Sequence, residues 1–455
     1  QVTQHSSSPS TSPPSNLGVA VLGTGGMLRD MALVRGSSVL VAALLLLCAL
    51  CGTSATASGA AAGVESPFKE EAKVPELCGS TCGDQDGDAM HMKLRQPGAL
   101  LSVSGGLVVC DQSNSKLKFM RIASGKAEGE SKTLVTPENV DMPAGVALGT
   151  DGSYFFTDLG NQQVKRYDKK TGVTVVAGHK SPQEARPEEG KGVMATMKAP
   201  YGIAADAGMD LYVSDMLDNR IRRVVRLTSV VEFFSGTGAA GFKDGPRGAA
   251  AFNHPMGVTM MKGSLYVADS RNHAVRVVSA SDGGVSTLAG SGSRGAADGK
   301  GGAAFFDTPV GLTSREGWVF VAEHGGRAVR RILASTGEVT TLRRFKTATP
   351  AGLALVQGPT EADSVLAVSD AASCKVLSIG IPRSCDGVAL SGKRMDRCGV
   401  CGGKDACVDC AGVPHGEAKE DKCGVCGGDG SACRDAPQTG GEMPGGEGGR
   451  SPESA

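Results

Sequence analysis

Three sets of residues in this 455-residue chain have types and spacings suited to chemistry: a register of six acids, a few histidines and fourteen cysteines. The acids are Asp111, Asp158, Asp215, Asp269, Glu323 and Asp370. Each closes a short apolar run, and each is followed six residues later by an aliphatic residue: Leu117, Val164, Ile221, Val275, Val329 and Val376. Carboxylates in such an array could hold calcium or move protons. One carboxylate per unit in fixed register is more simply a turn device, because an Asp at a strand end accepts backbone N–H bonds from the loop that follows. Asn161, Asp218, Asn272 and Ser373, three residues further on, would support the same turns. The six are therefore read as structural repeat acids. His179, His254, His273 and His324 fall among these units, and three of them converging on zinc would make a lyase or hydrolase centre. Nothing in their local sequence requires a metal. No Ser/His/Asp arrangement, phosphate-binding glycine loop or His-Glu-x-x-His accompanies them. No catalytic residue, metal ligand or cofactor is assigned; zinc and calcium are the metals these residue types would suit.

The elements that must position these residues follow from a second register. A Pro-x-Gly step, shortened to Pro-Gly in the first copy, recurs at Pro97, Pro143, Pro200, Pro255, Pro309 and Pro350, with spacings of 46, 57, 55, 54 and 41 residues. That period is the length of a propeller blade. Within the fourth unit, Gly257-Val-Thr-Met-Met, Ser264 to Asp269, Ala274 to Ser279 and Gly284 to Ala289 are four β-rich runs punctuated by Gly, Asp and Asn. A lone four-stranded sheet cannot bury both faces, so the units must pack face to face around an axis. The expected fold is all-β: a six-bladed β-propeller of four-stranded blades over residues 90–382. After Val376 the sixth unit is one strand short, and the segment His91 to Arg95 is the expected donor of its outer strand.

Pro200-Tyr-Gly202, Leu211-Tyr-Val-Ser-Asp215 and Asn219-Arg-Ile-Arg222 resemble the NHL repeat, as do Pro255-Met-Gly257 and Asn272-His-Ala-Val-Arg276. The spacers beginning at Gly236 and Gly290, each running into an Ala-Phe step, are typical of extended NHL blades. The fifth unit departs, with Glu323-His-Gly-Gly326, and the sixth carries an insertion near Gly358. The resemblance implies a propeller that serves as a binding or scaffold module. It also admits an alternative, a metal-dependent enzyme of the propeller axis like the amidating lyases or lactonases. His, Asp or Glu gathered at one mouth of the axis would favour the enzyme, and an axis lined by Gly, Ala and Val the scaffold.

Eight cysteines form a tandem array: Cys385, Cys398, Cys401 and Cys407, repeated as Cys410, Cys423, Cys426 and Cys433. Paired CxxC steps also suit zinc. An apolar run from Val39 to Cys51, thirteen residues long and followed by Ala55-Thr-Ala57, reads instead as a signal peptide, too short for a spanning helix. Export favours disulfides in two small Gly-rich modules at 385–435, which resemble Cys-Gly-Val-Cys-Gly-Gly modules of secreted proteins. The expected organisation is an extension and signal peptide at 1–57, a linker at 58–89 and a disordered tail at 436–455. Cys78 and Cys82 are candidates for a local bridge. Cys110 and Cys374, in the first and last units, are either a clasp across the closure or buried hydrophobes.

Lys plus Arg and Asp plus Glu are 47 each, which argues against a nucleic-acid partner. Lys165, Arg166, Arg222, Arg223, Arg276, Arg330 and Arg331 recur after the aliphatic position and are the candidate basic face; simple in-out alternation of a half-exposed strand is the competing account. The chain is thus expected to be secreted or displayed at the cell surface, binding a protein or extracellular glycan. A membrane association would arise only through the signal peptide or an N-terminal anchor.

Overall fold

The computed structural model describes residues 75–79, 81–123, 126–179, 189–357 and 364–381. The tandem cysteine modules, the apolar run at 39–51 and the C-terminal tail lie outside the described residues. Those described form six antiparallel sheets, one per repeat, arranged as the blades of a six-bladed β-propeller. Blade 4 shows the plan. An inner strand Pro255–Met261 pairs with Ser264–Asp269, then Ala274–Ser279, then Val285–Ala289 at the rim. The inner strands of the other blades begin at Pro97, Pro143, Pro200, Pro309 and Pro350. Each packs against the next, and that of blade 6 against that of blade 1.

The Pro-x-Gly step now has a physical cause. A Cβ on Gly202 would collide with the carbonyl of Met256, one on Gly257 with that of Val310, one on Gly311 with that of Ala351 and one on Gly352 with that of Gly98. Neighbouring inner strands approach too closely for a side chain here. A hydroxyl just before the acid bridges the same gap in three blades. Thr157 Oγ1 accepts from Gly145 N (2.8 Å) and donates to Tyr201 O (2.6 Å), and Ser214 links Gly202 to Met256 in the same way. Ser369 closes the circle, accepting from Gly352 N and donating to Gly98 O, both at 2.7 Å. Between blades the sheets are faced with buried aliphatics and aromatics. At the 4/5 interface Tyr266, Val275 and Ala289 meet Phe306, Val319 and Ile332. Each such fully buried side chain contributes roughly 1.5–3 kcal/mol of hydrophobic stabilisation.

Closure differs from the expectation in detail. The outer strand of blade 6 is Glu76–Cys78, pairing antiparallel with Lys375–Gly380, and not the segment 91–95. Residues 75–79 and 81–88 therefore belong to the propeller and are no linker: after closing blade 6 the chain adds Gly87–Asp88 to the rim of blade 1. The segment 91–95 leads from there to the axis. Met92 and Leu94 are buried between blades 6 and 1.

The disulfide also differs. Cys82 joins Cys374, 292 positions further along the sequence, so neither a Cys78–Cys82 bridge nor a Cys110–Cys374 clasp forms. Cys374 turns toward the incoming N-terminal strap because it occupies a left-handed turn position (φ 60°). Cys78 and Cys110 are buried thiols, and burial pushes the Cys78 thiol up to about 12. Replacing Cys82 by Ser should cost about 2–4 kcal/mol and lower the thermal midpoint under oxidising conditions. The same loss should follow when the native protein is reduced, while Cys78 and Cys110 stay unreactive to thiol reagents until unfolding. A midpoint unchanged by both treatments would place the closure elsewhere.

Candidate functional site

Every repeat acid is buried, and the six do the same job. The carboxylate folds back over the start of its own inner strand and accepts the N–H two residues before the repeat proline. Asp111 accepts from Arg95 N (2.6 Å), Asp158 from Asp141 N (2.8 Å), Asp269 from Asn253 N (2.7 Å) and Glu323 from Asp307 N (3.2 Å). Asp215 accepts from Lys198 N and Ala199 N, and Asp370 from Thr349 N, adjacent to its proline. Apart from Ser373 N, which Asp370 accepts at 3.4 Å, these backbone bonds go to the loop preceding the blade and not to the one that follows the acid. Asn114, Asn161 and Asn272 donate to the second carboxylate oxygen, each at 2.8 Å.

Opposite the carboxylate in each of blades 1 to 5 stands a cation seven residues later. Lys165 Nζ lies 2.5 Å from Asp158, Arg276 Nη1 2.6 Å from Asp269 and Arg330 Nη1 2.9 Å from Glu323. Arg222 spans Asp215 and Asp218 at 3.1 and 2.9 Å. Lys118 completes the set, held by Asp84, Asp86 and Asp111. Four of the seven residues of the expected basic face, Lys165, Arg222, Arg276 and Arg330, are therefore buried counter-ions and present no charge to solvent. The other three lie along the sheets: Arg166 pairs with Asp151, Arg223 with Asp210 and Glu232, and Arg331 packs on Trp318 while donating to Thr340. The alternation that puts position +7 on the acid's side of the sheet forbids a continuous basic face. Lys118 was not among the residues singled out from sequence, although its spacing from Asp111 carries the signal.

These cations also hold the loops that cross between blades. Arg276 donates to Ala251 O, Lys243 O and Asp244, and Arg330 to Phe305 O, Ala297 O and Asp298. Asp244 and Asp298 in turn cap the rim strands through Thr287 and Thr341. Burial pushes the Asp269 carboxyl up to about 6 and that of Glu323 to about 7, opposed by the backbone N–H and arginine bonds just described.

The histidines serve connections. His273 Nδ1 accepts from Thr308 N of the next blade (3.1 Å), as Asn219 Oδ1 does from His254 N (2.9 Å). His254, His273 and Asn219 sit at φ 53°, 48° and 51°. Burial, with Arg271 adding to it, lowers His254 to about 4. No group of three His, Cys, Asp or Glu suited to a metal occurs among the described residues. The axis is walled by the inner strands, including Ala144, Gly202, Val258, Val310 and Leu353, with Tyr201 the polar exception; about 60 Å³ of free space remains.

Residues 252–278, the core of blade 4, match the NHL repeat family. The chain thus carries an NHL repeat within a six-bladed propeller. Human NHL repeat-containing protein 2 is 34% identical over 214 residues, 43% of this chain and 29% of that protein. SUPPRESSOR OF QUENCHING 1, chloroplastic, of Arabidopsis thaliana is 26% identical over 168 residues, 35% of this chain and 16% of that one. The matches thus span less than a third of the length of either relative. A protein of unknown function from Bacteroides thetaiotaomicron VPI-5482 superposes with a TM-score of 0.52 at 15% identity, covering 68% of this chain and 75% of that one, a likeness of fold. The NHL signature in blade 4 coincides with Asp269, Asn272 and Arg276, the residues that lock the blade.

The loops at the acid end of the blades carry the surface charge. In the loops of blades 4 to 6 the exposed ionic groups include Arg271, Arg294, Arg327 and Lys346, with Arg294 paired to Asp307 at 2.9 Å and the acids Asp244 and Asp298 engaged by Arg276 and Arg330; the exposed acid Glu138 stands on blade 2. The opposite face mixes Asp151, Asp282 and Glu316 with Lys169, Lys170 and Lys262.

Two outcomes follow. Asp269→Ala leaves the buried Arg276 uncompensated and should cost about 3–5 kcal/mol in denaturant unfolding, with Arg276→Met, which leaves only a carboxyl able to take a proton, costing less. For His254 the folded value lies below the ordinary 6.5, so the unfolded chain binds the extra proton. Its stabilisation is complete above about 6.5 and lost as pH falls toward 4. His254→Asn, which suits the left-handed backbone, should flatten the stability profile over that window. An undiminished slope in the variant would assign the acid sensitivity elsewhere.

Proposed function

We propose that this NHL-repeat propeller is an exported, non-catalytic binding platform that engages an acidic extracellular glycan through the loop face of blades 4 to 6. The observation that carries the reading is how the polar groups are distributed. The repeated carboxylates and their cations are consumed in holding blades together, and the axis, where a propeller enzyme would gather its chemistry, is walled by Gly, Ala, Val and Leu. What remains for recognition is the loop surface, and there Arg271, Arg294, Arg327 and Lys346 set the sign of a partner. A rigid ring presents such groups without an ordering cost at binding. The Cys82–Cys374 bridge and the Val39–Cys51 apolar run support an oxidising destination.

Surface plasmon resonance of the full chain on immobilised heparin, a sulfated glycan, tests this. Binding should weaken steeply with salt, fall at least tenfold in the Arg271→Glu/Arg327→Glu double variant, and be unaffected by Lys262→Glu on the opposite face. Absence of binding at low salt, or equal binding by the double variant, would sink the proposal.

A further inference from the structure

The repeat gives an internal standard against which each blade interface can be compared. At the 3/4 interface, Tyr212 and Phe234 of blade 3 meet edge to face with ring centroids 4.9 Å apart and fill the space toward blade 4. Tyr212 is the third residue before its acid; Phe155 has that place in blade 2. Phe234 precedes Ser235, the partner of Ile221, just as Val176 precedes Ala177, the partner of Val164. Where blade 3 has a phenylalanine, blade 2 thus has a valine. The receiving wall is alike in both cases: Leu211 and Val224 of blade 3 correspond in register to Leu265 and Val278 of blade 4.

The consequence is a cleft of about 290 Å³ between blades 2 and 3, away from the axis and open toward the face opposite the acids. Phe155, Val176, Met209, Leu211 and Val224 form its apolar walls. Met209 supplies a wall that can adapt to an occupant. The cleft approaches the size of small-molecule sites, which pair an apolar body with a few placed polar groups.

The rim supplies those groups. Arg226 and Ser229 flank the turn between the third and fourth strands of blade 3, and Leu227 between them is 96% exposed. The rim carboxylates are already engaged. Asp151 and Asp168 face Arg166 at 2.9 and 3.7 Å, and Asp210 binds Arg223 through one oxygen and Arg226 N through the other. The Arg226 guanidinium has no ion pair among the described residues. It is the uncompensated charge at the mouth of an apolar slot, and a monoanion is the charge that matches it.

We propose that this cleft binds a small amphipathic anion, an apolar chain or ring bearing one carboxylate or sulfonate, its body between blades 2 and 3 and its charge on Arg226. Leu227 then folds over the apolar body at the mouth. The site is separate from the loop face of blades 4 to 6, so it stands or falls independently of glycan binding.

Calorimetry of the full chain with decanoate, and with 1-decanol as the uncharged control, tests this. Decanoate should bind at least tenfold tighter than decanol. Val176→Phe, which installs the residue blade 3 already uses, should weaken decanoate at least tenfold without lowering the thermal midpoint. Arg226→Gln should remove the preference for decanoate over decanol while leaving decanol binding in place. Equal decanoate affinity in Val176→Phe, an intact preference in Arg226→Gln, or no decanoate binding by the wild type would each overturn the assignment. Should Val176→Phe fail to fold, amide exchange of the wild type gives the answer: decanoate should protect residues 172–177 and 209–230, and protection elsewhere or nowhere would be decisive against it.

Discussion

One buried carboxylate per blade, ionically paired across its own sheet in blades 1 to 5, is the constraint on which the rest of this structure depends. It joins three parts of the chain that no regular ladder would hold together: the loop before the inner strand, the tight turn after the second strand and the middle of the third strand. Taking such a pair out of water costs several kcal/mol per ion, so the pairs add little net stability. Their effect is on geometry. Lys118, Lys165, Arg276 and Arg330 donate to backbone carbonyls outside their own sheet strands as well as meeting the acid, and Arg276 and Arg330 also lie over Phe252 and Phe306 at 5.3 and 5.2 Å. An arginine so surrounded admits one path for the incoming chain. Blade spacing and loop position are fixed together, and the loops become a rigid surface.

Blade 6 tests this account because it lacks the pair. Leu377 stands where the other blades carry Lys or Arg, and Asp370 keeps its backbone partners and the Thr349 hydroxyl. This is also the blade completed by a strand from the far end of the chain and tied by the disulfide. The burden carried by an ion pair elsewhere is carried here by Glu76–Cys78, by Cys82–Cys374 and by Ser369 reaching across to Gly98. Closing a loop of nearly three hundred residues carries a large entropic cost, which a covalent tie removes from the unfolded state.

The fold was legible in the sequence because its two registers, Pro-x-Gly and the strand-end acid, are local in each repeat and imposed by sterics and by backbone hydrogen-bonding needs. The site was less so. Lys165, Arg222, Arg276 and Arg330 recur as visibly as the acids, but recurrence does not say which way a side chain points; the seven-residue spacing, read with the pleat of two paired strands, would have joined each to its acid and added Lys118. The donors of closure were misplaced for another reason. Glu76–Cys78 is a three-residue strand with no alternation to detect, and Cys82 finds Cys374 only because the ring brings residues 292 apart in sequence side by side.

A repeat protein spends most of its sequence on maintaining the repeat, so the informative positions are those where one copy departs from its neighbours without penalty elsewhere. Val176 in place of Phe234 is such a departure: it leaves the ladder intact, keeps the receiving wall of Leu211 and Val224, and leaves a cleft where the 3/4 interface is filled by Tyr212 and Phe234. Filling it would be easy by substitution, since the neighbouring blade does so with no change in register. Natural cores close packing defects of this kind when nothing opposes it, because each missing contact is a loss of dispersion and hydrophobic stabilisation. An open interface next to a filled one, with a guanidinium at its mouth that has no ion pair among the described residues, is therefore better explained by an occupant than by imperfect packing.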